Sequence, residues 1–112
     1  MDSILTTVKK ACNIPEDYEV FDIDIIMHIN SVFMILNQLG VGPPQGFRIE
    51  DKYHLWTEFI PADDLRFEAV KTYVSTKVRL IFDPPSSSIV AECLKQIVAE
   101  CEWRLNLAAE ST

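Results

Sequence analysis

Acidic side chains form the densest group of potentially metal-binding residues in this chain of 112 residues. Five carboxylates fall within nine positions, at Glu16, Asp17, Glu19, Asp22 and Asp24. An EF-hand calcium loop needs oxygen ligands at fixed alternate positions and a central glycine, and this segment contains no glycine. We therefore interpret the segment as a solvated acidic surface and not as a calcium site.

Nucleophilic and acid–base residues show no catalytic arrangement in the sequence. Neither His28 nor His54 has a cysteine or a second histidine at metal-ligand spacing. We expect His28 to be a core or interface residue and His54 to be a surface residue. The glycine-rich run GVGPPQG follows a predicted helix and carries no lysine, so it does not predict a phosphate-binding loop. The sequence therefore predicts no enzyme activity, no metal site and no cofactor.

The charge and the cysteines restrict the class of protein further. A net charge of −7 at pH 7 has the wrong sign for binding nucleic acid through its phosphates. Cys93 and Cys101 are eight residues apart on one predicted helix, a rise of about 12 Å, which is too far for a disulfide. We expect the cysteines to be buried free thiols in a reducing compartment. Because no apolar run is long enough for a signal peptide or a membrane span, we expect a soluble, cytosolic protein.

The periodicity of apolar residues predicts a small all-α domain that covers residues 1–112 and contains four to five helices. Serines mark two helix starts, a glycine marks one helix end, and prolines mark two boundaries. The predicted segments are a helix from Ser3 to about Cys12, a helix from about Asp22 to Gly40, a turn or two around Trp56, a helix from Pro61–Asp64 to Asp83, and a helix from Ser87 or Ser88 to about Ala109.

The long helices have apolar faces of different widths. The third helix carries Phe67, Val70, Val74, Val78 and Ile81, and the last helix carries Val90, Leu94, Ile97, Cys101, Leu105 and Ala108. The second helix carries Ile25, Ile29, Val32, Leu36 and Leu39, widened by Ile26, Phe33 and Ile35. A helix that is apolar over most of its circumference must be covered on several sides. We expect part of that cover to come from another subunit.

Tryptophans and loops supply the candidate contact residues. Trp103 lies off the main apolar face of the last helix, which favours packing against a second protein, whereas core and interface positions both stay open for Trp56. The Gly/Pro-rich loop GVGPPQGFRIED between the second and third helices includes Phe47 and Arg48. It is either a mobile connector or a segment that reaches a neighbouring subunit, and its FRIED portion can form a short extended piece.

The segment RLIFDPPSSSIV predicts a rigid corner between the last two helices. Asp83, Pro84 and Pro85 end one helix, because proline disfavours the helical conformation at the residue before it. The serines that follow cap the next helix. We hypothesise that this corner also touches a neighbouring subunit through Arg79.

The run LRFEAVKTYVSTKVRLIFDPPSSSIVAECLKQIVAECEWRLN resembles the head–tail connector (adaptor) proteins of long-tailed bacteriophages. In that family a tyrosine-bearing helix that ends in K-V-R-L-x-F-D-P-P turns into a last helix that finishes in E-W-R-L. The matching residues here are Tyr73, Lys77, Val78, Arg79, Leu80, Phe82, Asp83, Pro84, Pro85, Glu102, Trp103, Arg104 and Leu105. The helix start DIDIIMHIN and the residues Trp56, Phe59 and Ile60 are also similar, so the resemblance spans most of the chain.

The resemblance implies a structural protein of the virion, assembled in the host cytoplasm and located at the head–tail interface. Such proteins form a ring, usually dodecameric, below the portal protein, where they extend the DNA channel and dock a tail-completion or stopper protein. They have no catalytic residues and no cofactor, and they have no membrane partner. DNA passes through such a ring without specific binding.

Two hypotheses about sites follow, together with one alternative function. The expected subunit or portal contacts are Arg79, Asp83, Pro84, Pro85, Trp103, Arg104, Phe47 and Arg48. The acids between Glu16 and Asp24 are the candidates for a channel surface that repels the phosphate backbone. The alternative is a generic helical interaction module, a small regulator that dimerises through its second helix.

Overall fold

The computed structural model describes residues 3–110, with side-chain surroundings for residues 3–109. These residues form α1 (Ile4–Ala11), α2 (Asp22–Gln38), α3 (Phe67–Phe82) and α4 (Ser88–Glu110), together with a 3-10 turn at Trp56–Glu58. Within residues 3–110 no strand forms, and a single isolated bridge pairs Ser3 with Leu55. The all-α class predicted from the sequence is therefore confirmed.

Local capping signals set most of the helix ends where the sequence predicts them. The side chain of Ser3 accepts a hydrogen bond from the Thr6 backbone N–H at 3.1 Å, and α1 begins at the next residue. Gly40 follows α2 with a φ of 84°, the left-handed conformation that closes a helix. Ser87 accepts from the Val90 backbone N–H at 3.3 Å at the start of α4. Each of these signals acts within a few residues, so the sequence alone contains it.

The start of α3 differs from the prediction. The helix begins at Phe67 and not within Pro61–Asp64. The reason is that the Asp64 carboxylate accepts hydrogen bonds from Arg66, two residues later in the chain. It accepts from the Arg66 backbone N–H at 2.8 Å and from its guanidinium at 3.0 and 3.1 Å. These hydrogen bonds lower the pKa of Asp64 and stabilise a turn in place of a first helical turn.

The core is centred on α3, which packs against α1, α2 and α4. Fully buried side chains come from all parts of the chain: Ile4, Leu5, Val8, Ile25, Ile29, Val32, Phe33, Leu36, Ile49, Tyr73, Val74, Val78 and Leu105 are at most 2% exposed. Tyr73 also donates its hydroxyl to Glu102 Oε1 at 3.0 Å, and Lys77 lies 3.1 Å from the same oxygen. This polar cluster fixes α4 against α3.

The inward face of α4 is rotated from the predicted face. Val98 and Leu105 are buried, but Val90 and Ile97 are at least 40% exposed, and so is Ile81 at the end of α3. The rotation follows from the Tyr73–Lys77–Glu102 cluster, because it draws an acidic residue of α4 inward. The expectation that the cysteines are buried is wrong for Cys93, which is exposed, whereas Cys12 is buried and Cys101 is half-buried.

The Gly/Pro-rich loop between α2 and α3 is held against the core. The Asn30 side-chain amide binds both backbone groups of Ile49, at 2.8 and 3.0 Å. Phe47 packs edge-on to Phe33 with ring centroids 5.0 Å apart, and Val41 is 1% exposed. The FRIED portion forms no strand. The loop therefore places its apolar side chains inside the molecule.

Candidate functional site

The predicted contact residues at the α3–α4 corner lie together around the C-terminal end of α1. The Asp83 backbone N–H donates to the Arg79 carbonyl at 2.8 Å, which ends α3. Asp83 and Pro84 are exposed and Pro85 is half-buried. Burial raises the pKa of the nearby Cys12 thiol to about 11, with the Asp83 charge raising it further and the Arg79 charge opposing it. The corner therefore lies beside the C-terminal end of α1, with Asp83 and Pro84 open to solvent.

Arg79 is half-buried, and one of its hydrogen-bond donors has no partner. Its Nε is inaccessible to solvent and has no hydrogen-bond partner, and within residues 3–109 the guanidinium forms no ion pair. The Ser75 hydroxyl, one turn earlier on α3, is also buried without a partner. Both donors are closed to solvent, so an acceptor on another chain reaches neither of them unless the side chains move. The contact of Arg79 with another chain stays a prediction.

Trp103 and Arg104 lie on the outer face of α4, away from α3. The Trp103 side chain is 64% exposed, and Ile89 and Leu107 are exposed on the same side of the helix. Arg104 binds Glu100 one turn away, at 2.6 Å from Nη2 and 3.0 Å from Nε. We call Ile89, Cys93, Ile97, Glu100, Trp103, Arg104 and Leu107 the outer α4 face. It combines apolar side chains with one exposed ion pair.

A second exposed apolar surface lies on α2. Ile23 is 82% exposed, and Met27 and Met34 are also exposed. They line a shallow groove of about 470 Å³ together with Ile26, Asn30, Ser31 and Arg48. We call these seven residues the α2 groove. Of these residues only Arg48 was predicted from the sequence as a contact residue, although the excess apolar width of the helix was a signal for Ile23, Met27 and Met34 as well.

Phe47 and Arg48 are adjacent in sequence but have different surroundings. Phe47 turns inward against Phe33 and Phe59, with centroids 5.0 and 5.3 Å away. Arg48 is exposed at the α2 groove. Among the residues that the structure describes, Arg48 forms no ion pair, so its charge is available to a partner.

The acidic segment forms the rim of a second cleft. Glu16, Asp17 and Glu19 are exposed around a cleft of about 660 Å³ that Lys52 and Tyr53 also line. Lys52 lies 3.7 Å from Glu19, at a distance and exposure where an ion pair contributes little. Across residues 3–109 no group of three or more potential ligands could hold a metal ion.

The buried Lys9 holds this acidic segment in place, a role that was not predicted from the sequence. Lys9 is 2% exposed and donates from its ammonium to the backbone carbonyls of Glu16 at 2.9 Å and Tyr18 at 2.7 Å. The same nitrogen lies 2.9 Å from Asp22 Oδ1, outside the angles of a directed hydrogen bond, so that contact is electrostatic. Asp22 is therefore a structural partner of Lys9, whereas Asp24 is exposed.

The two histidines lie in separate places. His28 is half-buried on α2, with its ring 6.5 Å from that of Phe82. His54 Nδ1 lies 3.1 Å from Glu58 Oε1 at the surface. The pKa of Glu58 is lowered, first by the hydrogen bond that its carboxylate accepts from the Leu55 backbone N–H and then by His54. The pair caps the 3-10 turn at Trp56–Glu58.

These surfaces define a class of protein: a small helical protein with two separate apolar faces, suited to contacts with other proteins. No helix within the described part of the chain is long and apolar enough to cross a membrane. The sequence matches the family model described as phage connector protein over residues 4–112. No curated protein and no solved structure matches the chain significantly.

The chain belongs to the phage connector protein family. This family is structural and not enzymatic, so the role of the chain is that of a connector in a bacteriophage particle, in contact with other virion proteins. The resemblance predicted from the corner and the E-W-R-L segment is confirmed at the level of the family.

Proposed function

We propose that this protein is the head–tail connector that forms a ring below the portal, extends the DNA channel and docks the tail-completion or stopper protein. The observation that carries the proposal is the presence of two different unpartnered apolar faces on one small chain of the connector family. A closed ring needs a head-to-tail contact between two non-identical surfaces of each subunit. A dimeric regulator needs only one self-complementary surface.

The acidic segment supports the channel part of the proposal. Glu16, Asp17, Glu19 and Asp24 are exposed, and the whole chain carries a net charge of −7. Repeated around a ring, such a surface repels the phosphate backbone and lets DNA slide without being held. Reversing exposed acids of this segment to lysine should retard DNA ejection from the particle. Unchanged ejection in those variants would remove the segment from the channel.

The test of the function is joining of heads and tails. A phage that lacks this gene should accumulate DNA-filled or leaky heads and free tails, and the wild-type gene supplied in trans should restore infectious particles. Co-expression with the portal protein of the same phage should yield a complex whose electron micrographs show an added ring. Normal infectious particles without this protein would overturn the proposal.

Mass in solution separates the ring from the alternative function. Sedimentation of the purified chain across a concentration series should show species larger than a dimer. A dimer that does not grow with concentration and does not bind portal favours the regulator that acts through α2.

A further inference from the structure

We propose that the α2 groove of one chain receives the outer α4 face of the next, with Trp103 between Met27 and Met34 and Glu100 opposite Arg48. The inference rests on the proposed function, because it names the partner of each face within the assembly. It makes the occupant of the groove a second copy of this chain.

The residues of the α2 groove are suited to binding a tryptophan side chain. Met27 and Met34 are exposed one above the other on α2, and Ile23 extends the same surface. Methionine side chains are flexible and polarisable, so they adapt to an aromatic ring and make favourable sulfur–aromatic contacts. Arg48 at the same groove adds a planar cation that stacks on an indole.

On the outer α4 face, Trp103 is the residue that suits this groove. Trp103 is the largest exposed side chain of the helix, and Leu107 lies one turn further on the same side. Tryptophan is strongly favoured at the centre of interfaces, where an aromatic side chain buries about 150–250 Å². About two thirds of this side chain is open to solvent.

Charge fixes the orientation of the two faces. Arg48 and Asp24, on and beside the groove, form no ion pair within the described residues. The outer α4 face presents Glu100 and Arg104, one turn apart, and among the described residues each forms its ion pair with the other. An exposed pair of this type contributes little, so exchanging it for contacts with Arg48 and Asp24 costs little. Both charges of one face then meet opposite charges on the other.

The position of the faces permits a head-to-tail chain of contacts. α2 and α4 each pack on α3 and turn their exposed sides away from it. One subunit can therefore use its groove and its outer α4 face at the same time, with two different neighbours. A contact of this kind is not limited to a dimer, and it closes into a ring where the rotation between neighbours divides a full turn.

The first experiment mixes two variants that each lack one face. Met27→Glu/Met34→Glu disables the groove, and Trp103→Glu disables the outer α4 face, with circular dichroism to verify the fold of each. Each variant alone should stay monomeric, because every contact needs one intact face of each kind. An equimolar mixture should form a two-chain species and no larger one, since the disabled faces end the chain.

The mixing experiment has one control variant, and three results would overturn the proposal. Leu65→Glu changes a fully exposed apolar residue outside both faces and should assemble like the wild type. Homodimers of the Trp103 variant would show a groove-to-groove contact and overturn the proposal. So would loss of portal binding with normal self-assembly in the groove variant, because portal would then be the occupant. A wild-type chain that is monomeric at about 1 mM also overturns it.

The second experiment tests the orientation by exchanging charges. Glu100→Arg/Arg104→Glu keeps the intrahelical pair but reverses it, so the helix survives and Arg48 meets an arginine. Assembly should weaken at least tenfold, and adding Arg48→Glu should recover about half of the loss in binding free energy, because Asp24 still faces the acid introduced by Arg104→Glu. Failure of Arg48→Glu to restore assembly refutes the pairing of Glu100 with Arg48. Because head–tail joining is scored separately, a connector that works through other faces remains distinguishable.

Discussion

Lys9 of α1 lies 2.9 Å from Asp22 at the start of α2, with its ammonium also bound by two carbonyls of the connecting segment. Lys9→Met should lower the free energy of unfolding by about 3 kcal/mol, because it leaves a partly buried carboxylate without its counter-charge and two carbonyl oxygens without their donor. Urea denaturation measures the change. Lys10→Met, the same substitution at the exposed neighbour, is the control and should cost less than about 1 kcal/mol. Equal losses would show that Lys9 has no special role.

The hydroxyl of Tyr73 supports the attachment of α4 to α3. Tyr73→Phe removes the hydrogen bond to Glu102 and should destabilise the fold by about 1.5 kcal/mol, the range for a hydrogen bond to a charged group. Lys77 still neutralises Glu102, which limits the loss. Tyr53→Phe is the matched control, because Tyr53 is 74% exposed. A stable Tyr73→Phe protein would show that packing alone holds the two helices together.

Burial of the ring and its contact with Glu102 raise the pKa of Tyr73, and burial raises the pKa of Cys12 to about 11. Both groups are neutral in the folded state at pH values where the unfolded chain has begun to ionise. The contribution of Cys12 to stability is therefore complete below about pH 9 and is lost as the pH rises through about 11, whereas that of Tyr73 is lost only above about pH 10. The Cys12 shift corresponds to roughly 2–3 kcal/mol.

Denaturation midpoints between pH 7.5 and 10.5 check this expectation. They should be flat at first and fall above about pH 9, and Cys12→Ala should flatten the first part of the fall. An unchanged slope in that variant would mean that Cys12 ionises as easily in the folded protein as in the unfolded one.

Features set by neighbouring residues were predictable from the sequence, and features set by distant contacts were not. Ser3, Gly40 and Ser87 act within one turn, so the ends of α1, α2 and the start of α4 follow from residue type. The rotation of α4 depends on Glu102 meeting Tyr73 of another helix, which apolar periodicity does not contain. The same holds for Lys9, whose contacts with the carbonyls of Glu16 and Tyr18 and with Asp22 lie outside its own helix.

The candidate contact residues divide in the same way. The corner at Arg79 and the exposure of Trp103 agree with the sequence reasoning, because proline and the flanking charges restrict their surroundings. Phe47 was selected with its neighbour Arg48, but it packs on Phe33 and Phe59, residues 14 and 12 positions away. Met27 and Met34 were not predicted, because α2 is apolar over most of its circumference and only the fold shows which of its residues face solvent.

Two glycines of the connecting loop give a matched comparison of strain and space. Gly42 and Gly46 both have positive φ, at 89° and 95°, so alanine is strained at either position. A methyl group at Gly42 would also collide with the ring of Phe59, whereas at Gly46 it meets open space. Gly46→Ala should cost about 1–2 kcal/mol, and Gly42→Ala should cost a further 1–3 kcal/mol from overpacking.

The difference between the two variants, measured by urea denaturation, reports how tightly the loop is held. Equal costs would show that the loop lifts away from Phe59 to admit the methyl group.

Thiol labelling distinguishes the environments of the cysteines and reports which helix face is covered on assembly. Cys93 is exposed on the outer α4 face, whereas Cys12 is buried and its pKa is raised to about 11. With a maleimide at neutral pH, mass spectrometry should find Cys93 modified within minutes and Cys12 modified only after denaturation, because the thiolate is the reactive form. In the assembled state Cys93 should be protected, since its face then lies against a neighbour, and Trp103→Glu should restore its labelling. Rapid labelling of Cys93 in intact assemblies would place the contact on another surface.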